Sequence, residues 1–124
     1  MKKLSHSAFI ELIYKGIEFF TKHFSPKTWH GFRLLAVDGS TAKVPRTEEV
    51  SDYFGTWNPA KGESCPVARV SQMFDVLNHI INDALIAPKS QGERYLAAQH
   101  FAYIGPQDLI LLDRGYPRHC SSFI

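Results

Sequence analysis

The chain has 124 residues, 44% of them hydrophobic and 21% charged, a composition that indicates a folded globular domain and excludes intrinsic disorder. A net charge of +2 permits a nucleic-acid partner without indicating one. No apolar run approaches the ~18 residues of a membrane-spanning helix, and Glu11, Lys15 and Glu18 interrupt the N-terminal stretch that resembles a signal peptide. We therefore expect a cytoplasmic protein with no membrane partner.

The first predicted element is an amphipathic helix over residues 8–24. Its apolar side chains recur every three or four residues, at Phe9, Leu12, Ile13, Ile17, Phe20 and Phe24. Ser7 is the expected N-cap, and Ser25-Pro26 is the expected stop. We assign residues 1–30 to an N-terminal helical segment that precedes the second unit, residues 31–124.

A short apolar strand is predicted next, from Phe32 to Val37. It stops at Asp38, where Gly39-Ser40 indicates a turn, after which residues 41–44 are expected to pair back briefly. Residues 45–66 are irregular and rich in proline and glycine, so we predict loop there, apart from a short helix that Thr47 would cap.

The second half of the chain predicts a hairpin, a helix and a last strand. Residues 67–76 and 79–87 have the pattern of two antiparallel strands, and residues 93–103 that of a helix. The apolar run from Leu109 to Leu112 then stops at Asp113. A strand reached through a helical crossover is positioned for parallel pairing. The expected fold is α/β, with a mixed sheet of an antiparallel hairpin plus a parallel strand and flanking helices.

Asp38 and Asp113 are the candidate catalytic residues, because each follows a short apolar strand. If the two strands are neighbours, both carboxylates lie at the sheet edge where ligands collect in parallel sheets. Two carboxylates within reach of one cation are the minimum for metal-assisted phosphoryl transfer, and oxygen ligands favour Mg²⁺ or Mn²⁺. Taken alone, an aspartate before Gly-Ser is also a common turn former.

Four stretches, in this order along the chain, resemble bacterial DDE transposases of the insertion-sequence-4 type. They are Leu35-Ala36-Val37-Asp38-Gly39-Ser40, Phe74-Asp75-Val76-Leu77-Asn78, Gln91-Gly92-Glu93-Arg94 and Leu111-Leu112-Asp113-Arg114-Gly115-Tyr116. The resemblance implies a ribonuclease-H-like fold. Residues 31–124 would be the incomplete N-terminal part of such a catalytic domain.

The resemblance also implies the chemistry of the site. Asp38 and Asp113 stand where the family has its first two catalytic carboxylates, ligands of a two-metal Mg²⁺ or Mn²⁺ site. The family's third carboxylate belongs to a Tyr-x2-Arg-x3-Glu-x6-Lys signature that this sequence does not contain. We therefore expect this chain to be inactive alone. The implied partners are transposon-end DNA and target DNA, bound by a homodimer of the intact enzyme.

Several residues near these motifs are candidate DNA contacts. Arg114, Tyr116 and Arg118 follow Asp113, where arginines can bind phosphate, although the same segment can be a solvated turn. Trp57 either stacks on a base or anchors its loop. The six histidines lack metal-ligand spacing, and we assign none of them a role.

Two other functions compete with an active transposase. A haloacid-dehalogenase-like phosphatase needs a nucleophilic aspartate two residues before the aspartate of Asp-Gly, and Ala36 stands there, which excludes it. The remaining alternative is a non-catalytic remnant that at most binds DNA or full-length transposase.

Overall fold

The computed structural model describes residues 4–58 and 62–114. Within these two ranges, three helices and five strands follow in the order α1 (His6–His23), β1 (Arg33–Lys43), α2 (Glu48–Phe54), β2 (Thr56–Trp57), β3 (Cys65–Asp75), β4 (Ile80–Pro88), α3 (Glu93–His100) and β5 (Asp108–Leu112), with a 3₁₀ turn at Phe101–Tyr103 between α3 and β5. In this part of the chain, no helix has the length and apolar character needed to cross a membrane.

The strands form one mixed sheet with β1 and β3 at its centre. β1 pairs antiparallel with β3, and in parallel with β5 from Arg33↔Asp108 to Val37↔Leu112. On the other side of β3, β4 pairs antiparallel along most of the strand, and the short β2 pairs with its first two residues. The predicted antiparallel hairpin, helical crossover and parallel last strand are thereby confirmed.

The predicted turn after Asp38 is wrong. β1 runs as one strand of 11 residues through Gly39 and Ser40 to Lys43. Its neighbour β3 is also 11 residues long and supplies a partner for each residue from Asp38 onwards, beginning with Asp38↔Gln72. This pairing overrides the local turn preference of Asp-Gly-Ser. Asp38 therefore marks the point where β1 loses its parallel neighbour, and the strand itself continues.

The helices α1 and α2 begin at side-chain caps, whereas α3 begins after Gly92 with no side-chain cap. α1 starts one residue after Ser5, whose hydroxyl oxygen accepts a hydrogen bond from the backbone N–H of Ser7 at 3.4 Å, so the expected cap at Ser7 is wrong by two residues. Both serines are suitable caps, and the earlier one lengthens the helix. The expected cap of α2 is confirmed, since the hydroxyl of Thr47 accepts from the N–H of Val50 at 3.3 Å.

Alternate residues of the strands point to two different environments. On what we call the covered face, Leu35, Val37 and Met73 are buried together with Ala97 of α3, and they form the core. On what we call the open face, many side chains are half-buried or exposed, such as Ile86 at 64% and Leu111 at 43% exposure. The open face carries Leu34, Ala36, Asp38, Gln72, Phe74, Ile81, Ile86, Leu109 and Leu111.

Candidate functional site

Asp38 and Asp113 occupy matching positions on neighbouring parallel strands. The β1–β5 pairing ends at Val37↔Leu112, so one of the two aspartates is the next residue along the chain on each side, Asp38 within β1 and Asp113 directly after β5. Neighbouring strands lie about 4.8 Å apart, and residues at the same register position project to the same face. Both aspartates are exposed. The register therefore places the backbones of Asp38 and Asp113 at the same edge of the sheet.

Backbone groups orient both carboxylates. Oδ1 of Asp38 accepts a hydrogen bond from the N–H of Gly39 at 2.9 Å, and Oδ1 of Asp113 accepts from the N–H of Arg114 at 2.6 Å. A carboxylate has about four acceptor positions, so each aspartate keeps capacity for a cation. Beside Asp38 the open face has a hollow of about 230 Å³, whose walls include Gln72 and Phe74.

The donor set fits Mg²⁺ or Mn²⁺ in type. Both cations take carboxylate oxygens, and Mg²⁺ is commonly bound through one or two carboxylates while it retains several waters. Exposure of Asp38 and Asp113 leaves room for those waters. Within residues 4–58 and 62–114, no group of three or more His, Cys, Asp or Glu side chains is placed to share a metal ion. Any ion at this edge would thus depend on two protein ligands from the described part of the chain.

The other end of the same strand pair is fixed by an ion pair. Arg33 donates from Nε to Oδ1 of Asp108 at 2.8 Å and from Nη2 to Oδ2 at 2.7 Å, and Asp108 also accepts from the N–H of Gly105. Burial opposes ionisation of Asp108, but the bonds from Arg33 and Gly105 outweigh it and lower the pKa of the carboxyl. The hydrogen bonds to Asp108 also raise the pKa of Arg33, although burial opposes this shift. This pair joins the first residues of the β1–β5 ladder, Arg33↔Asp108, at the end opposite to Asp38.

A buried polar network lies under the covered face. His100 Nδ1 donates to Oδ2 of Asp83 at 2.7 Å, Nε2 of His100 bonds the hydroxyl of Ser71 at 2.9 Å, and the hydroxyl of Tyr14 donates to Oδ1 of Asp83 at 3.0 Å. Burial and the bond to Asp83 raise the pKa of Tyr14. Ser71 is only 2% exposed, so this Ser-His-Asp arrangement cannot reach a substrate. It joins α1, β3, β4 and α3, and Ser71 pairs with Gly39, the residue after Asp38.

Sequence reasoning missed both polar arrangements. Arg33 and Asp108 have a detectable signal, because they carry opposite charges at the first residues of two strands that pair in parallel. Asp83 and His100 have no comparable signal, since their spacing in the sequence does not indicate that the two side chains are in contact. Among the candidate DNA contacts, Arg114 is exposed and directly follows Asp113. Tyr116 and Arg118 lie outside the described residues.

Comparison with known proteins points to transposition. InsZ of Escherichia coli K12, which is named as a transposase, is 32% identical over 88 residues, or 69% of this chain and 29% of InsZ. InsG of the same strain, named as the transposase for insertion sequence element IS4, is 28% identical over 89 residues, or 71% of this chain and 20% of InsG. No family model and no solved structure matches the chain.

These relatives suggest a transposition-related function. The chain spans less than a third of the length of either one. Activities of the whole relatives therefore do not transfer directly to this chain.

Proposed function

We propose that this chain carries part of the catalytic domain of a DDE transposase of the insertion-sequence-4 type. In this proposal Asp38 and Asp113 are two of its three catalytic carboxylates. Two relatives named as transposases support the general class. The observation that carries the site assignment is the parallel register ending at Val37↔Leu112, because each aspartate is the next residue along the chain.

The sheet topology supports a ribonuclease-H-like domain. β1 lies between an antiparallel neighbour, β3, and a parallel neighbour, β5, and the chain reaches β5 from β4 through α3. This is the arrangement expected for the N-terminal part of that fold, which has carboxylates on its first and fourth strands. Leaving out the two-residue strand β2, these correspond to β1 and β5. Asp38 and Asp113 lie on those two strands or directly after them.

The chain's own residues hold and present the two carboxylates. In this proposal the β1–β5 ladder would hold the two carboxylates near each other, and their exposure would admit a phosphodiester from solution. The N–H groups of Gly39 and Arg114 each bond one of the carboxylates. Bound Mg²⁺ or Mn²⁺ would supply charge stabilisation for an in-line displacement at phosphorus. Arg114, next to Asp113, is placed on the chain to contact a DNA phosphate.

The substrates and partners follow from the same proposal. The intact enzyme, acting as a homodimer, would bind transposon-end DNA, cleave it and transfer the strand to target DNA. Two carboxylates without a third would hold a two-metal pair poorly, so this chain alone would bind a cation weakly and would not cleave DNA.

A second candidate function is a non-catalytic remnant that binds DNA or full-length transposase. One observation favours it: the residues that the structure describes offer two carboxylates at the site and no third acidic group beside them. A remnant of this kind would need no divalent cation for its interactions.

Calorimetric titration with Mn²⁺ separates these functions. We expect one weak, saturable site in the wild-type chain that is lost in Asp38→Asn and in Asp113→Asn. Asp52→Asn is the matched control, because Asp52 is an exposed aspartate on α2, and it should bind as the wild type does. No binding at millimolar Mn²⁺, or equal binding by all variants, would contradict the site. Mg²⁺-dependent plasmid nicking that Asp38→Asn abolishes would contradict the expected inactivity and exclude the remnant.

A further inference from the structure

A second candidate site surrounds Trp57, away from the two aspartates. The Trp57 side chain is 48% exposed and lines a cavity of about 660 Å³ whose walls include Lys43, Arg46 and Glu63. The same side chain lines a second, smaller cavity together with Lys89. We call these two cavities the Trp57 cleft. A cavity of this size lies in the range that accepts a small ligand or a single nucleobase.

The indole ring of Trp57 is held in place although it is exposed. The backbone of Trp57 pairs with that of Cys65 at the start of β3, and this pairing joins the two-residue strand β2 to the sheet. The ammonium group of Lys89 lies 5.8 Å from the centre of the ring and donates to the carbonyl oxygen of Thr56 at 3.4 Å. Trp57 therefore presents a tethered apolar surface to solvent.

Positive charge predominates in the walls of the Trp57 cleft. Its lining includes four cations and two carboxylates: Lys43, Arg46, Arg69, Lys89, Glu63 and Glu93. Glu63 bonds Arg46 at 2.7 Å, but both side chains are more than half exposed, and such a pair contributes little in water. An anionic ligand can therefore replace Glu63 at Arg46 at small cost. Glu93 is engaged by Arg69, so Lys43 and Lys89 supply the excess charge.

We propose that the Trp57 cleft binds an unpaired segment of nucleic acid, with one base stacked on Trp57 and the adjoining phosphates on Lys43 and Arg46. An exposed aromatic ring next to a cationic wall is the combination that single strands recognise, because every base has a flat face and every linkage a negative charge. In a duplex the internal bases are already stacked on each other, so they offer the ring no free face.

This site is independent of the proposed metal site. Lys43 lies five residues beyond Asp38 on β1, about 17 Å along the strand. Odd-numbered β1 residues share the covered face with Leu35 and Val37, whereas Asp38 belongs to the open face. Binding at the cleft should therefore need no divalent cation and should survive Asp38→Asn.

Fluorescence of Trp57 gives a direct readout of binding. The chain has two tryptophans, so Trp29→Phe leaves Trp57 as the reporter. Titration of that variant with a 15-residue oligothymidylate in EDTA should quench its emission saturably. The binding constant should fall as salt is raised, with a logarithmic slope of about −0.7 for each phosphate contact.

Variants of the cleft test the contacts, with binding followed by anisotropy of a labelled oligonucleotide. Trp57→Leu should weaken binding by roughly 5- to 150-fold, the range for loss of one stacked base. Trp57→Phe should retain most of the affinity, and Lys43→Gln should reduce the salt slope by about 0.7. Trp29→Leu is the matched control, because Trp29 is 51% exposed, and it should bind as the wild type does.

Three results would overturn the assignment. They are the absence of saturable quenching at low salt, equal affinity of Trp57→Leu and the wild type, and quenching by duplex DNA but not by the single strand. Retained binding in Asp38→Asn would support a separate site, whereas its loss in that variant would show that the strand lies on the aspartates instead.

Discussion

The polar side chains on the covered and open faces of the sheet differ in burial and in hydrogen bonding. On the covered face, Asp83 and His100 are at most 3% exposed, and each is bonded on two sides within the network that includes Tyr14 and Ser71. On the open face, Asp38 is exposed and accepts its hydrogen bond from the next residue's N–H. Buried polar groups with complete partners stabilise a fold, whereas exposed carboxylates in register remain available to a ligand. The comparison shows that one face buries its polar groups with partners and the other leaves its carboxylate accessible to solvent.

The largest effect is expected when the buried network is broken. His100→Ala leaves the Asp83 carboxylate buried without its imidazole partner, so it should lower the free energy of unfolding by about 3–5 kcal/mol. Urea denaturation followed by circular dichroism measures this change. His6→Ala removes an exposed histidine on α1 and should stay within about 0.5 kcal/mol of the wild type. Similar midpoints for both variants would contradict a stabilising role for the network.

A second comparison uses two leucines on adjacent strands. Leu35 is fully buried on the covered face, and Leu35→Ala should lower the free energy of unfolding by about 2–5 kcal/mol. Leu111 is 43% exposed on the open face, so its removal leaves little cavity. Leu111→Ala should therefore lower the free energy of unfolding by less than about 1 kcal/mol. The same urea titration tests both. Equal losses would mean that the open face is packed in solution.

The Arg33–Asp108 pair should give an intermediate, pH-dependent effect. The pKa of Asp108 is lowered in the folded chain, so its stabilisation is present above the ordinary value of about 3.9 and is lost as pH falls through the lowered value. Asp108→Asn should therefore lower the free energy of unfolding by about 1.5–3 kcal/mol at pH 7 and by much less at pH 2–3. Urea titrations at the two pH values measure the gap.

An exposed ion pair provides the control for Asp108. Glu63→Gln removes the partner of Arg46, and both side chains are more than half exposed, so the variant should unfold almost as the wild type does at either pH. If Asp108→Asn lowers the free energy of unfolding by the same amount at pH 7 and at pH 3, the charge of the Asp108 carboxylate is not what stabilises the fold.

The smallest effect on stability is expected at the candidate site. Asp38→Asn and Asp113→Asn change exposed side chains whose bonds to the next N–H an amide oxygen can still accept. Each variant should stay within about 0.5 kcal/mol of the wild-type free energy of unfolding. Thermal melting without divalent cations is the measurement. A large loss would give these aspartates a structural role, as turn formers or caps.

Periodicity in the sequence was sufficient to predict most of the fold. The β3–β4 hairpin, the cap at Thr47 and the parallel last strand all have local signals, and the structure contains them. The continuous β1 could not be predicted locally, because Asp38-Gly39 favours a turn and the pairing with distant β3 decides otherwise. The short strand β2 had the composition of a loop, and its formation depends on β3.

The candidate site was only partly readable from sequence. Asp38 and Asp113 were identified from their positions after apolar runs, which local patterns can show. The contacts that hold the surrounding sheet join residues far apart in sequence, such as Arg33 with Asp108 and Tyr14 with Asp83. A single sequence does not show which distant residues contact each other, so these pairs could not be predicted.

The most direct test of the account is to locate Mn²⁺ on the chain by paramagnetic broadening of amide NMR signals. Substoichiometric Mn²⁺ should broaden the signals of Gly39 and Arg114 first, since their N–H groups contact the two carboxylates, and should leave Asp52 and Trp57 sharp. The broadening should disappear in the Asp38→Asn, Asp113→Asn double variant. Broadening centred elsewhere, or unchanged in that variant, would contradict a shared cation site between Asp38 and Asp113.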